Sequence, residues 1–154
     1  MKKIYMRVII CGIALGVFSF ITYKTSNMIG VTNEKLSEFV FLDSDGKSIK
    51  YKANENTNRI LYVISNTCEA CRNSLKWLSQ QDENTQKKVD LVSLSDINET
   101  RELIKEYNIK SPYYIDNKKS TVVVMKVDSI PTVALNSNGV YKKTSLSIQD
   151  AVKK

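Results

Sequence analysis

Taken as apolar and polar positions, the chain opens with one continuous apolar run. From Val8 to Thr22, VIICGIALGVFSFIT, no residue carries a charge. With Ile4, Tyr5, Met6 and Tyr23 the run reaches about 20 residues, the length of helix that spans a bilayer. Beyond Lys24 the pattern changes to short apolar stretches broken by polar turns. Residues 25–35 form a polar tether. Glu38–Leu42 and Lys47–Tyr51 read as two strands around the turn Asp43-Ser44-Asp45-Gly46, with Gly46 supplying a positive φ. Lys52–Asn58 is a polar loop. Arg59–Ser65 is apolar and β-branched and predicts a buried strand, and Arg72–Leu78 places Leu75 and Leu78 on one helical face with Trp77 near it. Ser79–Lys87 is polar and predicts exposed chain. Lys88–Leu94 predicts a second buried strand. Asp96 caps a helix that includes Glu99, Leu103, Ile104 and Tyr107. Ser111–Asp116 comes next. Lys118–Val127 carries Val122-Val123-Val124, strand-like by propensity, yet its place in the pattern favours a short helix. Ser129–Leu135 opens a strand, Asn136–Gly139 a hairpin turn, and Val140–Lys143 the return. Ser147–Lys153 gives one or two helical turns with Ile148, Ala151 and Val152 inward. Strands and helices alternate, so the fold class is α/β.

The chain has 154 residues, enough for one domain and an appendage. The division is 1–24 as a membrane anchor, 25–35 as tether and 36–154 as the folded domain. Lys2, Lys3 and Arg7 precede or enter the apolar run, and the positive-inside rule keeps them cytoplasmic, with the domain outside. Around Ile21 to Ile29 no pair of small residues marks a cleavage site, so the anchor is expected to stay as an uncleaved signal-anchor. Cys11 follows Ile10 where a lipoprotein site needs a small residue, and reads as a small apolar membrane residue. The formal charge of +7 is concentrated here: Lys2, Lys3, Arg7 and Lys24 precede every acidic residue. The remaining 19 basic and 16 acidic residues form a mixed surface. This gives no case for nucleic acid, though a modest attraction to anionic lipid is expected. Asp43 and Asp45 lack the later acidic ligand of a calcium loop, so that stretch is a plain turn.

The chemistry lies in Thr67-Cys68-Glu69-Ala70-Cys71, where the strand hands over to the helix. The first turn of a helix offers free N–H groups and the positive end of the dipole. A thiolate at Cys68 is stabilised there, which marks it as the attacking sulfur. Cys71, one turn on, is placed to resolve a mixed disulfide. A zinc site would need further ligands, but the chain has no His and one other cysteine, Cys11. Covalent haem would need His after the second cysteine, where Arg72 stands. A purely structural bridge over so short a loop removes little unfolded-chain entropy. No metal and no cofactor are expected.

Strand, Cys-x-x-Cys and helix, followed much later by Ile130-Pro131-Thr132 and a hairpin, resembles the thioredoxin superfamily. The resemblance implies a central mixed sheet flanked by helices and a cis Pro131 packed against the cysteine pair. The backbone around Ile130, Pro131 and Thr132 would then lie beside Cys68, open to an extended peptide. The anchor, the leading hairpin Phe39–Lys47 and the room for an extra helix-strand unit, roughly Asp96–Ile115, make the chain similar to the membrane-anchored TlpA/ResA-like branch. The resemblance covers about residues 36–152. Departures stand at Thr67 in place of Trp, Tyr62 in place of a buried acid and Ser74 in place of a Glu. A helix-kinking Pro is missing, and the last helix is short.

The residues and the resemblance together imply an extracytoplasmic thiol–disulfide oxidoreductase, single-pass in the cell membrane. Cys68 is the nucleophile, Cys71 the resolving thiol, and Thr67, Glu69, Ala70, Ile130, Pro131 and Thr132 surround them. Glu69 beside the nucleophile disfavours the thiolate, which slightly favours a reductase over an oxidase or isomerase. The resemblance implies exported thiol proteins as substrates, apocytochrome c or a disulfide-containing secreted peptide among them. It also implies a membrane thiol donor or acceptor of the DsbD/CcdA type. Two other classes stay open: a peroxidase using Arg72, and a non-catalytic binding module.

Overall fold

The computed structural model describes residues 39–51 and 58–154. All of them belong to the compact unit Thr32–Lys154. The anchor and tether, residues 1–35, lie outside the described residues, as do positions 52–57 of the polar loop. Among the described residues no helix is long and apolar enough to cross a membrane.

Seven strands of the described residues form one mixed sheet: β1 Val40–Leu42, β2 Ser48–Lys50, β3 Ile60–Ile64, β4 Val89–Ser93, β5 Tyr113–Ile115, β6 Thr132–Ser137 and β7 Val140–Thr144. Their order is β2-β1-β5-β4-β3-β6-β7. β3, β4 and β5 run parallel, with Tyr62 opposite Leu91 and Val92 opposite Tyr114. β6 is antiparallel to β3, with Val63 opposite Thr132. Among the described residues five helices join them: α1 Glu69–Ser79, α2 Glu83–Lys87, α3 Ile97–Glu106, α4 Ser120–Val124 and α5 Ile148–Val152.

Every residue of β3 and β4 is buried, as central strands covered on both faces require. Alternation along β3 divides the core. Ile60, Tyr62 and Ile64 pack with Cys71, Leu75 and Leu78 of α1, Leu103 and Ile104 of α3, and Ile148 and Ala151 of α5. Leu61 and Val63 face the other way, onto Phe39, Phe41, Tyr51, Met125 and Tyr141. α1 is therefore pressed onto β3 by its own apolar stripe, and the β3–α1 junction is fixed from below.

Three local readings change. Ser79–Lys87 is not simply exposed chain. Asp82 caps α2 by accepting the Thr85 N–H, and Gln86 is buried. Gln86 Oε1 accepts the Lys110 N–H at 2.7 Å and its carbonyl accepts the Ser111 hydroxyl at 2.8 Å, so a polar side chain docks the α3–β5 connection. β6 runs on to Ser137, and the turn contracts to Asn138-Gly139 with φ of 55° and 78°, the pair of positive values a two-residue hairpin needs. Val152 is half-buried, leaving Ile148 and Ala151 as the inward side of α5. Lys118–Val127 does contain a helix, shortened to Ser120–Val124.

One end of the sheet carries a buried polar cluster. Asp90, 1% exposed, accepts from Arg59 Nε at 2.6 Å and from Arg59 Nη2. Tyr51 donates to Asp90 Oδ2 at 2.8 Å, and the Tyr141 hydroxyl lies 2.8 Å from that of Tyr51. Because Tyr51 spends its proton on Asp90, Tyr141 is the donor in that second contact. Burial first, then the Asp90 charge, raise the Tyr51 pKa. Burial also pushes Tyr141 up to about 12.

Candidate active site

Cys68 stands just past the end of the central strand β3, after the short turn Ser65-Asn66-Thr67. It is the N-cap of α1, in extended conformation, and its Sγ accepts the Cys71 N–H at 3.1 Å. A sulfur thus occupies the place usually taken by a serine or aspartate oxygen, where orphan N–H groups favour an acceptor. Cys68 and Cys71 are disulfide-bonded, with Cα atoms 5.2 Å apart, inside the range a disulfide spans without backbone movement. The two sulfurs are unequal. Cys68 is half-buried and reachable from outside, while Cys71 is 0% exposed on the inward face of α1. Of the two sulfur-bearing residues, Cys68 is the accessible one.

The loop before Cys68 is held by Ser95 and Arg72. The Asn66 N–H donates to Ser95 Oγ at 2.9 Å, and Ser95 Oγ donates to Asn66 Oδ1 at 2.8 Å. Arg72 Nε donates to the Asn66 carbonyl at 3.1 Å, and its guanidinium reaches Glu106 at 3.3 Å. Thr67 is exposed, its hydroxyl 3.2 Å from that of Ser65. Glu69 and Ala70 are exposed on the first turn. The signal for Asn66 and Ser95 was absent because each looks like an ordinary turn residue until the chain folds, and Arg72, noted in the sequence for its place after Cys71, holds the loop through its guanidinium.

The second landmark stands against the first. The Ile130–Pro131 peptide is cis, and the Ile130 carbonyl oxygen is 3.5 Å from Cys68 Sγ. Thr132 is buried, and its hydroxyl donates to the Ser129 carbonyl at 2.5 Å. So Cys68, Cys71, Ile130, Pro131 and Thr132 come together, while Thr67, Glu69 and Ala70 form the exposed rim. Behind them Tyr62 is 1% exposed on β3. Burial pushes its pKa up to about 12, with the Ser74 hydroxyl pulling the other way. Tyr62 is therefore a neutral hydroxyl at physiological pH.

Sulfur in such a setting exchanges disulfides. The Cys71 N–H favours negative charge on Cys68, and the Ile130 oxygen favours a proton there. Among the described residues no three cysteine or acidic side chains gather as a metal site.

No family model matches the chain, and no curated protein does. Solved structures do. A secreted disulfide oxidoreductase of Mycobacterium tuberculosis, described as homologous to E. coli DsbE, aligns with a TM-score of 0.60 at 13% identity, over 78% of this chain and 98% of that one. A putative thiol:disulfide interchange protein DsbE from Chlorobium tepidum gives 0.61 at 21% identity, over 77% and 89%. A thiol:disulfide interchange protein from Bacteroides sp. gives 0.61 at 14%, over 79% and 88%. The chain therefore has the thioredoxin-like α/β fold, with the Cys68–Cys71 disulfide at the head of α1.

Proposed function

We propose that this chain is a thiol–disulfide oxidoreductase working by dithiol exchange through Cys68 and Cys71. The observation that carries the proposal is the inequality of the two sulfurs. Cys68 is reachable, capped by an N–H and flanked by the Ile130 carbonyl, while Cys71 is fully buried one turn below. In the reducing direction the Cys68 thiolate attacks a substrate disulfide. A Cys68–substrate bond forms, the substrate S–S bond breaks, and the departing sulfur takes a proton. Cys71 then loses its proton and attacks Cys68 Sγ. The enzyme disulfide closes and the second substrate thiol leaves, two electrons having passed to the substrate.

The preferred direction is reduction. Glu69 on the first turn and the Ile130 oxygen beside the sulfur both disfavour the thiolate, and a less stabilised thiolate makes a more reducing couple. The apolar run at residues 4–23 supports a single-pass anchor, with residues 25–35 as tether and the domain, 36–154, on the extracytoplasmic side. Substrates are then exported thiol proteins, apocytochrome c or a secreted peptide among them. A membrane thiol donor of the DsbD/CcdA type resets the pair, because cytosolic reductants do not reach that face.

Single substitutions separate the steps. Cys71→Ser is expected to accumulate a mixed disulfide between Cys68 and a peptide disulfide, seen as a mass adduct that dithiothreitol removes. Cys68→Ser is expected to form none and to lose turnover. Exchange that survives both substitutions would end the dithiol reading and leave a peptide-binding module.

A further inference from the structure

The segment that carries Ile130 to Cys68 leaves α4 through Met125 and crosses open surface before joining β6. Lys126 holds a φ of 47°, a left-handed conformation that non-glycine residues adopt at a cost. Asp128 is 80% exposed, and Ser129 is exposed. Val127 is half-buried against the cluster of Leu61, Val63 and Met125, with its N–H on the Val122 carbonyl at 3.0 Å, but the residues on either side of it are exposed. A second anchor, for the exposed positions, comes from β7. Lys143, opposite Ala134 in the β6–β7 ladder, sends its ammonium back across the sheet edge. Its Nζ donates to the Lys126 carbonyl at 2.7 Å and to Asp128 Oδ2 at 2.7 Å. Two bonds from one ammonium thus close the segment on both sides of Val127. Within the next residues the Thr132 hydroxyl holds the Ser129 carbonyl, and the Ile130 carbonyl meets Cys68 Sγ.

We propose that Lys143 is a positioning residue for substrate binding: by clamping Lys126 and Asp128 it fixes the Ser129–Ile130 backbone against which an extended peptide disulfide pairs. The inference rests on the dithiol-exchange reading of the same site. Its reach is limited to substrates long enough to use that backbone. A peptide disulfide loses binding when the clamp is removed, whereas cystamine, which touches only the sulfur, does not. Lys143 does not contact either cysteine, so the chemistry at sulfur is outside its influence.

The test uses the full chain in detergent micelles with Lys143→Met, which keeps length and removes the donors, and Lys143→Arg, which keeps charge and donors. Lys143→Met is expected to raise KM for a disulfide-linked peptide about fivefold with kcat within about twofold, the size set by a partly exposed charge pair. KM for cystamine and the Cys68–Cys71 reduction potential stay as in the parent, and Lys143→Arg recovers the peptide KM. Amide hydrogen exchange at Val127–Ile130 is expected to accelerate in Lys143→Met. Unchanged exchange there overturns the clamp whatever the activity. Equal rises in KM for peptide and cystamine overturn it as well, in favour of general loosening. A parent chain with no exchange activity, but with faster Val127–Ile130 exchange in the variant, sinks the dithiol reading and keeps the clamp.

Discussion

Asp90 shows what one residue does in this chain. A charge inside an otherwise apolar strand is costly unless it is paired, and here it takes two bonds from Arg59 and one from Tyr51. Asp90→Asn leaves the Arg59 guanidinium half-buried without its counter-charge. The expected loss is about 3 kcal/mol in urea unfolding of the oxidised protein, the usual range for breaking such a pair from one side. A loss under about 0.5 kcal/mol would make the pair irrelevant to stability. None of these partners was legible in the sequence. They stand 31 and 39 positions from Asp90, and a single sequence carries no signal for contacts at that distance. Cys68 and Cys71 were legible because everything that defines them, strand, cap and first turn, is local.

Elements were readable where one periodicity ruled. β3, α1, β4 and α3 follow from apolar spacing, and the Asp96 cap of α3 accepts the Asn98 and Glu99 N–H groups as its position suggests. Reading failed at α2, because its five residues offer no apolar stripe and its buried residue is the glutamine Gln86. It also misjudged the hairpin, where Asn136 is buried and accepts the Gly139 N–H at 3.0 Å, so strand continues into what composition marks as turn. The first hairpin gives a sharper test. Gly46 has a φ of 83°, and a Cβ there would lie 3.2 Å from Ile97 Cδ1. Gly46→Ala is expected to cost about 1–2 kcal/mol, seen as a lower urea midpoint with the denaturant slope unchanged. A neutral result would mean that the turn readily changes type.

The fold as a unit has a defined alkaline edge. Tyr62 and Tyr141 are pushed up to about 12 by burial, from an ordinary value near 10. A folded pKa above the unfolded one means stability is fully present below about pH 10 and is lost as pH rises toward about 12, because the unfolded chain sheds protons the folded one keeps. Thermal melts from pH 8 to 11.5 are expected to be flat up to about pH 10 and to fall beyond it; a flat curve throughout would contradict the burial of these hydroxyls. Over the described chain the sheet order could not be read, since antiparallel β1 and β6 join the parallel strands through pairings set only by packing. The function proposed for this fold stands or falls on the Cys68–Cys71 couple. Equilibrating the domain from residue 25 onward in dithiothreitol or glutathione buffers measures it directly. Dithiol exchange in the reducing direction predicts a reversible two-electron couple at or below about −250 mV. A value near about −120 to −180 mV would reverse the direction to oxidation or isomerisation, and a pair that never closes would contradict dithiol chemistry altogether.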